Sequence, residues 1–241
     1  EKIPPHLQKS ENALLEFNKT IINATADFAS AFKVNTAFYE AYGIEGWQAL
    51  KATFDYLPQN TIKIADAKRG DIGNTSKMYA RSIFQWLGAD AITVNPLMGG
   101  DSVAPFLEDE EKGVFFLCLT SNPGSEDLQH FSDGQQKLYQ QVIKLVKSWN
   151  TKKNCGLVVG ATHPEELGEI RNIAPELPFL IPGIGAQGGD VEASVKNGTD
   201  QNGLSAIFNS SRAIIYASQE KDYEQAVRKA AQETVNSLNR K

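Results

Sequence analysis

The sequence predicts an α/β fold, a (β/α)8 barrel, on three observations. Short β-rich runs alternate with amphipathic stretches along the whole chain, and that alternation implies a parallel sheet with helical crossovers. Seven such units fit an open sheet poorly and suit a barrel of eight strands. The length of 241 residues supports one sizeable core, and no linker or change of composition divides it, so 1–241 reads as a single domain.

In chain order, the candidate strands are 31–35, 61–66, 91–95, 114–120, 156–161, 179–183 and 205–209. Between them, Trp47, Leu50, Phe54 and Leu57 recur at helical spacing, as do Leu138, Val142, Leu145 and Trp149. Asp101 and Ser102 look like the opening of a helix, and Pro164 suits a first helical turn. The chain starts without Met and with a helix, 8–28, that no strand precedes. An upstream first strand outside residues 1–241 is therefore expected.

Composition narrows the function. Apolar residues make up 41% and charged residues 22%, as in an ordinary soluble domain. A net charge of -5 argues against nucleic acid as a partner, so an anionic substrate needs a local cationic site. The longest apolar run, 114–119, is too short for a bilayer and no signal peptide precedes it, so a cytoplasmic protein without membrane contact is expected. Cys118 and Cys155 lie within apolar runs and read as small buried hydrophobes. His6, His130 and His163 are far apart in sequence and match no metal-ligand spacing.

The segment Asp66-Ala-Lys-Arg-Gly-Asp-Ile-Gly-Asn-Thr75 is the most informative. Strand side chains alternate, so Ile62, Ile64, Asp66 and Lys68 share a side. With that side inward, Asp66 and Lys68 stand at the carboxyl mouth, where barrel active sites form. Lys33 reaches the same mouth from the preceding strand, and Asn35 shares its parity. Lysines and aspartates alternating at a water-poor site perturb one another's proton affinities, as catalytic groups do. On these grounds alone a solvated ion-pair network at a strand end is an equal reading.

The pattern Asp66, Lys68, Asp71, Ile72, Thr75 resembles the signature of orotidine 5'-phosphate decarboxylases, in the longer-chain bacterial form Asp-Ala-Lys-Arg-Gly-Asp-Ile. The resemblance extends from Phe17-Asn-Lys19 through Lys33 and Thr120-Ser-Asn-Pro-Gly124 to Pro182-Gly-Ile-Gly-Ala-Gln-Gly-Gly189 and Ser210-Ser-Arg212. It implies decarboxylation of orotidine 5'-phosphate to UMP, the last step of de novo pyrimidine nucleotide synthesis, with no metal or organic cofactor. Lys33, Asp66, Lys68 and Asp71 would be catalytic, with Lys68 protonating C6. Asn35, Ile72, Thr75 and Pro182 would line the substrate, and Ser121 would bind the pyrimidine edge. The resemblance further implies a homodimer in which Asp71 and Thr75 serve the neighbouring subunit's site. In such enzymes the first strand carries a ribose-contacting aspartate, which no residue here matches.

Loops after the last two strands of a barrel often bind phosphate. Here they are 183–189 and 210–212, where glycines let backbone N–H groups approach an anion and the next helix N-terminus adds its dipole. Arg212 can offer a bidentate fork. By resemblance, Gln187 and Arg212 hold the phosphate, helped by the Ser211 backbone N–H. Gly183-Ile-Gly-Ala-Gln-Gly188 also matches a dinucleotide fingerprint, but such loops follow the first strand of their domain, and this one follows several. Sugar-phosphate aldolases and keto-gulonate phosphate decarboxylases share Asp-x-Lys-x-x-Asp around Mg²⁺. Ile72 and Thr75 favour the orotidylate branch. A non-catalytic phosphate-binding barrel would have no use for two carboxylates facing an anion.

Overall fold

A computed structural model of the protein describes residues 3–184 and 190–239. Among the described residues, seven strands form one sheet in sequential order: β1 Ala31–Asn35, β2 Ile62–Arg69, β3 Ala91–Val94, β4 Gly113–Leu119, β5 Cys155–Val159, β6 Phe179–Pro182 and β7 Ala206–Asn209. Every neighbouring pair is parallel, and helices alternate with the strands, so the sheet curls into a nearly closed TIM barrel. Parallel strands put all carboxyl ends on one rim. Among the described residues no ladder joins β7 to β1, and these two strands are only half-buried, whereas β3 and β5 are buried throughout.

Alternation along the strands separates two apolar layers. Ile64, Ala91, Phe115, Val158 and Leu180 meet inside the barrel. Their neighbours Ala65, Ile92, Phe116, Leu157, Val159, Phe179 and Ile181 face outward into the larger core under the helices. Phe116 meets Trp149 of the helix Leu138–Trp149, with ring centroids 5.7 Å apart. Burying a side chain of this size is worth roughly 1.5–3 kcal/mol. Inside, Phe115 is paired in register with Gly156, where a Cβ would lie 2.7 Å from the ring. A glycine opposite the aromatic ring is what lets it fill the barrel.

Several boundaries differ from expectation for local reasons. The opening helix runs Ala13–Thr25, with turns over 5–12, so it is shorter than 8–28. Asp101 and Ser102 do not open a helix. Gly99, at φ +89°, is the entry residue of the short helix Gly100–Val103, and the Ser102 hydroxyl donates back to the Gly99 carbonyl at 2.7 Å. Pro164 does occupy the first turn of Pro164–Ile173. No helix among the described residues is long and apolar enough to cross a membrane.

Candidate active site

β2 continues three residues past the predicted end, to Arg69, and it does so irregularly. Its register against β3 shifts between Ala65 and Arg69, and Lys68 adopts φ +47°. Simple alternation therefore holds for Ile64 and Asp66 and fails at Lys68. A left-handed backbone costs a non-glycine residue about 1–2 kcal/mol, and such strain persists where the surroundings fix it, often at functional sites. Here the Lys68 backbone N–H donates to the Thr93 hydroxyl at 3.0 Å, which pins the bulge to β3.

The bulge brings the Lys68 ammonium onto Asp66 Oδ1, while Lys33 from β1 ion-pairs with Asp66 Oδ2. The Thr93 hydroxyl donates to Oδ1 at 3.0 Å. Asp66 is thus a buried carboxylate with both oxygens engaged. Burial alone would raise its pKa, but Lys33 and Lys68 outweigh that and hold it below the ordinary carboxylate range. Two cations and one anion leave the cluster with a single positive charge at the rim. The Lys68 side chain is 48% exposed and Lys33 only 12%, so Lys68 is the one that faces the barrel mouth.

Asp71 is not part of this contact set. It lies past the strand, where its carboxylate accepts the Ile72 backbone N–H at 2.8 Å at the entry to the helix Gly73–Arg81. Ile72 and Thr75 on the same turn are exposed. Asn35 sits across from Asp66 in register, but its side-chain oxygen accepts from Ala37 N at 3.1 Å and caps the following turn. Ser121 follows β4 on the same rim, and Pro182 ends β6.

At the expected phosphate end, Ser211 and Arg212 are exposed just beyond β7, at the start of the turn Arg212–Ile215. Gln187 and the loop glycines beside it fall in 185–189, outside the described residues. The next helix, Val191–Gly198, is capped by Asp190, whose side chain accepts from Ala193 N at 3.0 Å.

Thr93 was missed by sequence reasoning, although a signal existed. It shares parity with the inward Ala91 and is a hydroxyl in an otherwise apolar strand. Arg69 was missed as well. It ion-pairs with Glu40 after β1 and lies 5.3 Å over the Tyr79 ring, tying together the segments that follow β1 and β2. His130 and His163, distant in sequence, come within 6.1 Å and share Glu166. Among the described residues, however, no group of three or more His, Cys, Asp or Glu could hold a metal. Both cysteines are buried, and burial pushes the Cys155 thiol up to about 12.

The orotidine 5'-phosphate decarboxylase / HUMPS family model matches residues 11–230. The chain belongs to that family. It is similar to the orotidine 5'-phosphate decarboxylase of Dehalococcoides mccartyi strain BAV1, at 50% identity over 239 residues, covering 98% of this chain and 88% of that protein. Among solved structures it resembles the OMP decarboxylase of Leishmania donovani, with a TM-score of 0.86 and 40% identity over 98% of this chain and 91% of that one. It also resembles Leishmania donovani UMP synthase, with a TM-score of 0.87 and 42% identity, but spans only 52% of that longer chain. The chain is accordingly an enzyme of the carboxy-lyase type.

Proposed function

We propose that the chain, as one catalytic domain, decarboxylates orotidine 5'-phosphate to UMP using fixed charge alone. The observation that carries this reading is the buried Asp66 carboxylate held between Lys33 and Lys68 at the carboxyl rim. Loss of carbon dioxide from C6 leaves an electron pair in the ring plane, orthogonal to the π system, so resonance cannot spread it. Stabilisation has to come from a charge already in place, and the Lys68 ammonium supplies one. Its proton then passes to C6, leaving a neutral amine. Asp66 fixes both ammonium groups and adds repulsion toward the departing carboxylate, which is relieved as that group leaves. Arg212 and Gln187 take the phosphate, and that remote binding energy favours the closed, dry site matched to the transition state.

The active unit in this reading is a two-fold dimer, with Asp71 and Thr75 entering the neighbour's site. Large apolar side chains stand exposed on the segments after three consecutive strands: Phe38 and Ile44 after β1, Ile72 after β2, and Leu97 and Met98 after β3. Phe38 is 72% and Ile44 79% exposed. Large apolar side chains exposed in this way are costly in water, and a second copy of the chain covers them while placing Asp71 at the interface.

The rival within the family is Mg²⁺-dependent enediolate chemistry. Extensive dialysis against EDTA, followed by addition of orotidine 5'-phosphate, should leave the rate of absorbance loss unchanged. A rate that returns only with Mg²⁺ would reassign Asp66 and Asp71 as metal ligands.

A further inference from the structure

Ser121 follows directly on a residue that is clamped. The Thr120 backbone N–H donates to Gln129 Oε1 at 2.7 Å, and Gln129 Nε2 donates to the Thr120 hydroxyl at 2.9 Å. That hydroxyl in turn donates to Asn122 Oδ1 at 2.6 Å, so both neighbours of Ser121 are joined. Gln129 is itself anchored. Its backbone N–H donates to the Ser125 carbonyl at 2.8 Å, and its carbonyl accepts from Tyr139 N at 3.0 Å, at the start of the helix Leu138–Trp149. The next residue, His130, meets Glu166 of the helix Pro164–Ile173 at 2.8 Å. From the other side, Gly160 packs so closely that a Cβ there would lie 2.9 Å from both the Cβ and the backbone nitrogen of Ser121.

We propose that Gln129 is a positioning residue that sets pyrimidine specificity by fixing the backbone from which Ser121 reads the base edge. The inference rests on the reading of Ser121 as the pyrimidine contact. A carbonyl and an amino group at the same ring position differ only in whether they accept or donate. Discrimination between them needs a hydroxyl and backbone of fixed orientation, and a site closed over the base then rejects the wrong pattern by leaving a polar group unpaired. A two-point amide clamp one residue away, backed by a position with no room for a side chain, provides that fixity.

The test compares inhibition constants for UMP, CMP and ribose 5-phosphate in the wild type, Gln129→Leu, Gln129→Glu and Ser121→Ala. In Gln129→Leu the preference for UMP over CMP should fall at least tenfold while ribose 5-phosphate changes less than twofold. Gln129→Glu, which keeps an acceptor for Thr120 N–H, should restore the preference to within threefold of wild type. A preference retained in Gln129→Leu, or equal weakening of all three ligands, would overturn the proposal. Ser121→Ala separates the two levels. If it abolishes the preference while Gln129→Leu keeps it, the positioning role alone is wrong; if it keeps the preference, the reading of Ser121 fails and takes the proposal with it. Should Gln129→Leu not fold, Thr120→Val removes only the hydroxyl half of the clamp, and a drop in preference of threefold or more is the expected result. No drop in that variant overturns the proposal.

Discussion

Lys68→Ala is expected to lower kcat by three or more orders of magnitude, about 4 kcal/mol at 1.4 kcal/mol per tenfold. In the proposed mechanism the lysine acts on charge that appears only in the transition state, so binding of the product UMP should stay within about tenfold of wild type. Folding should be little affected, because the side chain is half exposed and Lys33 still neutralises Asp66. Arg212→Ala should show the reverse emphasis, weakening UMP and orotidine 5'-phosphate alike through loss of the phosphate fork. Steady-state kinetics with UMP as competitor measures both. Equal losses of UMP affinity in the two variants would contradict this division of labour.

The proposed sharing of each site between two subunits predicts rescue between two dead proteins. Lys68→Ala and Asp71→Ala should each be inactive alone. When their subunits are mixed by co-refolding, one site of each mixed dimer receives both lesions and the other receives neither. Random exchange makes half the dimers mixed, so roughly a quarter of all sites should recover wild-type turnover. The position of Asp71, past the strand and off the Lys33–Asp66–Lys68 cluster, motivates the expectation. Active-site titration gives the fraction. No recovery in a preparation shown to contain mixed dimers would mean that Asp71 serves its own chain.

How legible the molecule is depends on how local the cause of each feature is. The seven strands follow from short β-rich runs, and the structure places all seven within a residue or two at most ends. The exception is β2, which runs on to Arg69 because a bulge and the left-handed Lys68 extend it; no alternation rule anticipates either. Parity does account for Lys33 and Asp66, which share the inward side with Ile64, whereas Lys68 reaches the same rim only through the bulge. Thr93 escaped notice because its role exists only once β3 lies beside β2. Gln129 escaped for the same reason, nine residues from the backbone it holds. Histidines 130 and 163 looked unrelated; His163 caps the helix that carries Glu166, and only the docking of the turn bearing His130 onto that helix gives the two a common partner.

The central claim is that Lys68 moves a proton to and from C6. Microscopic reversibility offers its most direct test, because the group that protonates the carbanion also removes the proton from the product. UMP incubated with the protein in D₂O should slowly exchange its C6 hydrogen for deuterium, as followed by proton NMR, and EDTA should make no difference. Lys68→Ala, holding UMP with near-normal affinity, should show no exchange over the same interval. Exchange at the wild-type rate in Lys68→Ala would contradict the assignment of Lys68 as the proton donor.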